Sequence, residues 1–179
     1  MKSVLISINP KWVEKIASRK KTIEVRKSAP KEVPFKAYIY CTKGKDGYEW
    51  LYRVDNNGYG KAQSWHGKVI GEFICDKVMF LTPLGLRGFE TSEEILKLIC
   101  LTNDDLNAYG GLKTLYGWHI SDLKIYDKPR ELSEFCIPCK VSCENCKNPL
   151  YFECWCEEKG KKIVTRPPQS YMFVEEVEQ

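Results

Sequence analysis

Six of the nine cysteines in this 179-residue chain fall within residues 136–156. They run Cys136-x2-Cys139-x3-Cys143-x2-Cys146-x7-Cys154-x-Cys156. The surrounding stretch, 127–169, carries several prolines and few apolar residues, too few to build a core of its own. Each C-x-x-C lets two thiolates converge on one ion through a tight turn, and four thiolates complete the closed tetrahedron of a structural zinc site. Binding of that kind is worth about 10–16 kcal/mol in small peptides, enough to order the segment. Cys143 and Cys146 are the firmest ligands. Cys139 follows Pro138, which stiffens its approach, and Cys154 closes the loop from the far side. The expected set is therefore Cys139, Cys143, Cys146 and Cys154. Cys136 and Cys156 are spares, and Cys136 with Cys139 competes as the first pair. A catalytic metal fits poorly, because four thiolates leave no open position and no histidine lies in the cluster. Thiol exchange is the remaining alternative.

The odd cysteine total argues against a disulfide framework. The start, MKSVLISINPKW, has too short an apolar stretch before Asn9-Pro10 for an export signal, so a cytoplasmic protein is expected. Hydrophobic residues make up 43% of the chain and charged residues 29%, which excludes a disordered or collagen-like polymer. No apolar run approaches the roughly 18 residues of a membrane span. The length fits one domain over 1–179, with a cysteine-rich zinc-binding insert at 136–157.

Periodicity places strands at 4–8, 22–27 and 37–42. Between the first two, Asn9-Pro10 opens a helix whose apolar face is Trp12, Val13 and Ile16. A hairpin is expected around Asn56-Asn57-Gly58. Residues 68–81 read as one long strand, with Gly71 marking a bulge. A capping box from Thr91 to Glu94 predicts a helix to Cys100, and a second helix opens over 102–105 and stops at Gly110-Gly111. Strands return at 116–126 and 171–177. Many short strands with two or three small helices predict an α+β fold, a small mixed β-barrel with helical decoration.

Charge is uneven. Residues 1–36 hold ten Lys or Arg against three Glu, a sum of +7 in a chain whose net charge is +4. A field of that kind attracts phosphate, although a solvated basic face explains it equally well. Within this region, Lys20-Lys21-Thr22-Ile23-Glu24-Val25-Arg26 puts Glu24 and Arg26 on one face of a strand and Lys21 at its start. Arg grips phosphate or a base edge with two parallel hydrogen bonds, and Glu accepts from an exocyclic amine. The plainer reading of the pattern is an exposed, ion-paired strand.

These residues resemble the ASCH signature G-x-K-x-x-E-x-R, which follows a short helix in relatives of the PUA fold. It matches here at Lys21, Glu24 and Arg26, while the glycine position holds Arg19. The flanking ISINPKWVEKI, the strand from Lys68 through Phe73, the WHISDLKIYDKP segment at 118–129 and Arg166-Pro167-Pro168-Gln169-Ser170 are similar to a bacterial and phage sub-family with a late cysteine-rich insert. The resemblance implies a PUA-like barrel with a cleft lined by the motif, and binding of RNA, a nucleotide or a nucleoside. Some small ASCH proteins are amidohydrolases of acetylated cytidine, using a Lys–Thr–Glu set. Their lysine matches Lys21, but Glu24 stands where their threonine would, removing that hydroxyl. A ribonuclease activity also occurs in the wider family, and no dedicated motif here supports it.

The candidate catalytic residues are then Lys21, Glu24 and Glu72, the last a mid-strand carboxylate that serves as general base if it faces the cleft. Lys21, Glu24, Arg26, Trp118, His119, Gln169 and Ser170 are the candidate ligand contacts. Trp12, Trp50, Trp65 and Trp118 either stack bases or pack in the core. His66 is read as exposed, His119 as an acid–base group or a structural histidine. Cys41, Cys75 and Cys100 read as small core residues. A third reading makes the cysteine insert a protein-interaction surface.

Overall fold

A computed structural model describes residues 1–43, 52–53, 63–138 and 162–177. Strand β1 (Ser3–Ile8) passes through Asn9 into helix α1 (Pro10–Ala17). The Asn9 side chain accepts from the Lys11 N–H and Pro10 takes the first turn, as the sequence predicts. Strands β2 (Ile23–Arg26) and β3 (Phe35–Cys41) follow. The alternation of β1 sorts its side chains between two cores. Val4, Ile6 and Ile8 pack with Phe35, Ile39, Phe73, Trp118 and the α1 residues Val13 and Ile16. Leu5 turns the other way, to Tyr38, Val69 and Phe135.

Strands β4 (Tyr52–Arg53) and β5 (Gln63–Ser64) pair antiparallel, while the Asn-Gly turn expected between them lies outside the described residues. The single strand expected over 68–81 is two: β6 (Lys68–Cys75) and β7 (Val78–Leu81), broken at Asp76-Lys77. The bulge is real. Ile39 faces Gly71 and Tyr40 faces Val69, leaving Ile70 as the extra residue. Gly71 itself is needed for close approach, because a Cβ there would meet the Lys124 carbonyl oxygen at 2.4 Å.

Helices α2 (Glu93–Ile99) and α3 (Asn103–Gly110) come next. The capping box sits on α3, not α2: Thr102 and Asp105 exchange both bonds, whereas Ser92 caps α2 without a side-chain bond. The Thr91 N–H goes instead to Asn103 Oδ1 at 2.9 Å, tying the start of one helix to the other. Then follow β8 (Leu115–His119), β9 (Ser121–Arg130), β10 (Phe135–Ile137), β11 (Lys162–Ile163), β12 (Tyr171–Phe173) and β13 (Glu175–Glu176).

The main sheet has the order β12-β1-β3-β6-β9, parallel only between β1 and β3. Two three-stranded sheets, β2-β8-β7 and β11-β10-β13, and the β4-β5 pair complete it. The α+β class holds, but among the described residues no closed barrel forms. The breaks at Asp76-Lys77 and Ile120 explain why: each sends neighbouring strands, β6 and β7 or β8 and β9, into different sheets. Among the described residues no helix is long and apolar enough to cross a membrane.

Candidate functional site

The site is built on β2. Helix α1 ends in a turn in which the Lys20 and Lys21 N–H groups both donate to the Lys15 carbonyl at 2.9 Å. Arg19 adopts φ 59°, the left-handed backbone that favours glycine. Pairing of β2 with β8 then fixes the faces of the strand. Ile23 and Val25 enter a third core with Leu81, Phe89, Ile99, Leu106 and Leu115. Glu24 and Arg26 turn to the opposite side, as the alternation predicts.

There they meet Lys21 in a cleft of about 280 Å³. Lys21, Glu24 and Arg26 are 2%, 5% and 6% exposed, the buried charges among the described residues. Glu24 stands between two cations: its Oε2 is 3.5 Å from Lys21 Nζ and its Oε1 is 3.1 Å from Arg26 Nε. Lys21 Nζ donates to the Ile99 carbonyl at the end of α2, 2.5 Å away, and Arg26 Nη2 donates to the Ser7 carbonyl at 2.7 Å. The Arg26 Nε–H lacks the alignment that a hydrogen bond to Glu24 needs, so this buried donor has no hydrogen-bond partner among the described residues. Burial holds the Lys21 ammonium below the ordinary lysine range, and the Glu24 carboxylate works against that shift.

Two aromatic rings wall the cleft, Trp12 from α1 and Tyr109 from α3. Lysines lie over both. Lys11 and Lys15 Nζ are 4.7 and 4.9 Å from the Trp12 centroid, and Lys27 Nζ is 4.7 Å from that of Tyr109. Lys11, Lys15, Lys21, Arg26 and Lys27, half of the basic residues in 1–36, are therefore gathered around one opening. Ser7, Ile8, Asn9, Val25, Leu101 and Asp105 complete the lining. Sequence reading missed Ser7, Leu101, Asp105 and Tyr109 as site residues and took Asn9 only as a cap. Leu101, Asp105 and Tyr109 lie about eighty positions from β2 and Ser7 lies on another strand, so no local pattern marks them.

The other predicted site residues lie elsewhere. Glu72 points from β6 to Lys36 Nζ at 3.4 Å and accepts from the Tyr126 hydroxyl at 2.6 Å, away from the cleft lining. Trp118 is fully buried, edge-on to Phe35 with centroids 5.0 Å apart. His119 pairs through Nδ1 with Asp76 Oδ1 at 2.6 Å, a bond that draws the Asp76 carboxyl below its usual range. Gln169 and Ser170 do not line the cleft; the contact there is made by Pro168, whose carbonyl accepts from the Ser7 hydroxyl at 2.6 Å. His66 is half-buried rather than exposed, with Nδ1 3.1 Å from the Lys43 carbonyl.

Burial pushes the Cys41 and Cys75 thiols up to about 12, as core thiols. Cys100 is half-buried at the end of α2. Cys139, Cys143, Cys146, Cys154 and Cys156 lie outside the described residues. Cys136 is buried on β10, its Sγ donating to the Glu175 carbonyl. A larger groove of about 1180 Å³, between Met1, Val33, Pro138 and Phe173, takes in none of the predicted side chains.

The fold is similar to that of the ASCH protein of Zymomonas mobilis, at 15% identity and a TM-score of 0.53, covering 97% of this chain and 88% of that one. Two single-residue variants of the same Zymomonas mobilis protein align at 16% and 17% identity, each with a TM-score of 0.48. They cover 98% and 97% of this chain, and 91% and 89% of theirs. No family model and no curated protein matches the chain. An ASCH-type fold with a buried Lys–Glu–Arg cluster in an open, aromatic-walled cleft is what fold and site together define.

Proposed function

We propose that this chain is an ASCH-type, PUA-like protein that binds a nucleotide, or one nucleotide unit of an RNA strand, in the β2 cleft. One observation carries the reading: three buried charged side chains meet on the floor of a cleft walled by Trp12 and Tyr109 and ringed by lysines. A volume near the lower end of small-molecule pockets, roughly 300 Å³, suits one base with its sugar and not a duplex. The aromatic rings offer stacking surfaces that any base can use. Lys11, Lys15 and Lys27 stand where flanking phosphates would pass. The motif match at Lys21, Glu24 and Arg26 supports the family assignment.

Calorimetric titration with nucleoside monophosphates and a short single-stranded RNA tests it. Saturable binding is expected, weakening with salt for the strand. Tyr109→Ala, at a half-exposed position outside the cores, is expected to weaken binding about tenfold, the value of one stacking contact. Absence of binding by every member of the panel, at low salt, would refute it.

A second reading is favoured by the lowered proton affinity of Lys21 beside Glu24. Such a pair can activate water or attack an amide, as in hydrolysis of an acylated nucleoside. Release of acetate from acetylcytidine, lost in Lys21→Ala, is its requirement. The cysteine spacing supports a structural zinc on Cys139, Cys143, Cys146 and Cys154.

A further inference from the structure

We infer that the cleft selects a ligand with an imide edge, a carbonyl, an N–H and a second carbonyl in line, as uracil presents. The inference rests on the nucleotide-binding reading and adds to it which base is chosen. Glu24 lies between Lys21 and Arg26, with one cationic donor next to each carboxylate oxygen. Ammonium and guanidinium groups only donate, and an ionised carboxylate only accepts. The floor of the cleft therefore reads donor, acceptor, donor. Its complement is acceptor, donor, acceptor.

The hydrogen-bond inventory points the same way. Arg26 lines the cleft, and its guanidinium has five N–H bonds, of which one on Nη2 is committed to the Ser7 carbonyl, so donors are left for an acceptor. Lys21 has three N–H bonds, and one is committed to the Ile99 carbonyl. Its lowered proton affinity shows that its charge is under-solvated, which a ligand carbonyl relieves. Each Glu24 oxygen keeps a lone pair beyond its cation, so the carboxylate has room for one N–H.

Among the common bases, only the uracil or thymine edge fits all three positions. O2 and O4 would face the cations and N3–H the carboxylate. Cytosine turns an unprotonated ring nitrogen to the carboxylate and an amine to a cation, two oppositions of like polarity. Guanine can meet one cation through O6 and give N1–H and its amine to the two carboxylate oxygens, which leaves the other cation without an acceptor. Adenine places its amine and N1 out of register with both. A site whose buried polar groups are left unpaired by the wrong ligand discriminates strongly.

The main comparison uses the wild-type chain, so it does not depend on a variant folding. Calorimetry compares uridine 5′-monophosphate, its N3-methyl derivative and cytidine 5′-monophosphate. Uridine 5′-monophosphate is expected to bind at least about tenfold more tightly than either, since each rival leaves a buried group unpaired. Equal binding of the N3-methyl derivative, or equal or tighter binding of cytidine 5′-monophosphate, overturns the inference and leaves the nucleotide reading standing. Binding of none of the three, nor of an RNA strand, overturns both. Glu24→Gln, whose amide both donates and accepts, is expected to narrow the gap between uridine 5′-monophosphate and its N3-methyl derivative. An unchanged gap in a folded Glu24→Gln protein also counts against the inference.

Discussion

Glu24 has a cation on each carboxylate oxygen, and all three groups are more than nine-tenths buried. Removing the centre of such a trio is worse than removing an end. Glu24→Ala leaves two buried like charges facing each other and is expected to cost about 3–5 kcal/mol in urea denaturation. Lys21→Met is expected to cost less, because Arg26 still neutralises Glu24 and the under-solvated ammonium is gone. The sign of the pH effect follows. Lys21 binds its proton less tightly folded than unfolded, so between its folded value and 10.5 the unfolded chain holds more protons. Stability of the wild type is expected to rise relative to Lys21→Met as pH climbs through that window. Arg19 gives a second residue-scale outcome. A left-handed non-glycine residue costs roughly 1–2 kcal/mol, and the Arg19 side chain returns only a 3.4 Å bond to the Leu123 carbonyl. Arg19→Gly is expected to raise stability by about 1 kcal/mol in the same assay, and a loss would contradict the account. The charged trio was legible in the sequence because period-two alternation alone sorts Ile23 and Val25 from Glu24 and Arg26. The companions Tyr109 and Asp105 were not, because nothing local ties α3 to β2.

At the scale of elements, α3 matters most, since it carries Asp105 and Tyr109 to the cleft. Its start depends on the reciprocal Thr102–Asp105 box. The bond from the Thr102 backbone N–H holds the Asp105 carboxyl below its usual range. Thr102→Ala is expected to cost about 1 kcal/mol of stability and to weaken nucleotide binding with it. Thr91→Ala, at the box the sequence favoured, is expected to change stability by less than about 0.5 kcal/mol. The same four-residue spacing occurs at both places, and only the tertiary bond from the Thr91 N–H to Asn103 decides between them. A similar override splits 68–81 and 116–126. Each is a continuous β-rich run in sequence, and each changes sheet, at Asp76-Lys77 and at Ile120, because the receiving strands are distant in the chain. Caps and turns that answer to near neighbours, Asn9-Pro10 and Gly110-Gly111, fall where the sequence places them.

For the whole molecule, the chain into and out of the cysteine segment is held by the body of the fold. Cys136 on β10 stands opposite Ile163 on β11, and Phe135 and Val164 are buried in the second core. The anchoring strands thus have packing that does not depend on metal. One zinc per chain is expected by elemental analysis, lost in Cys143→Ser. Nucleotide binding is expected to survive that loss, since the cleft is built from α1, β2 and α3. A chain that purifies without zinc would refute the metal proposal. The central claim is that β2 presents Lys21, Glu24 and Arg26 to a ligand, and an NMR titration tests it most directly. With uridine 5′-monophosphate or a short single-stranded RNA, the Arg26 Nε–H and Trp12 indole N–H signals are expected to shift together and saturate with one affinity. Saturable binding that leaves both signals unmoved would contradict it.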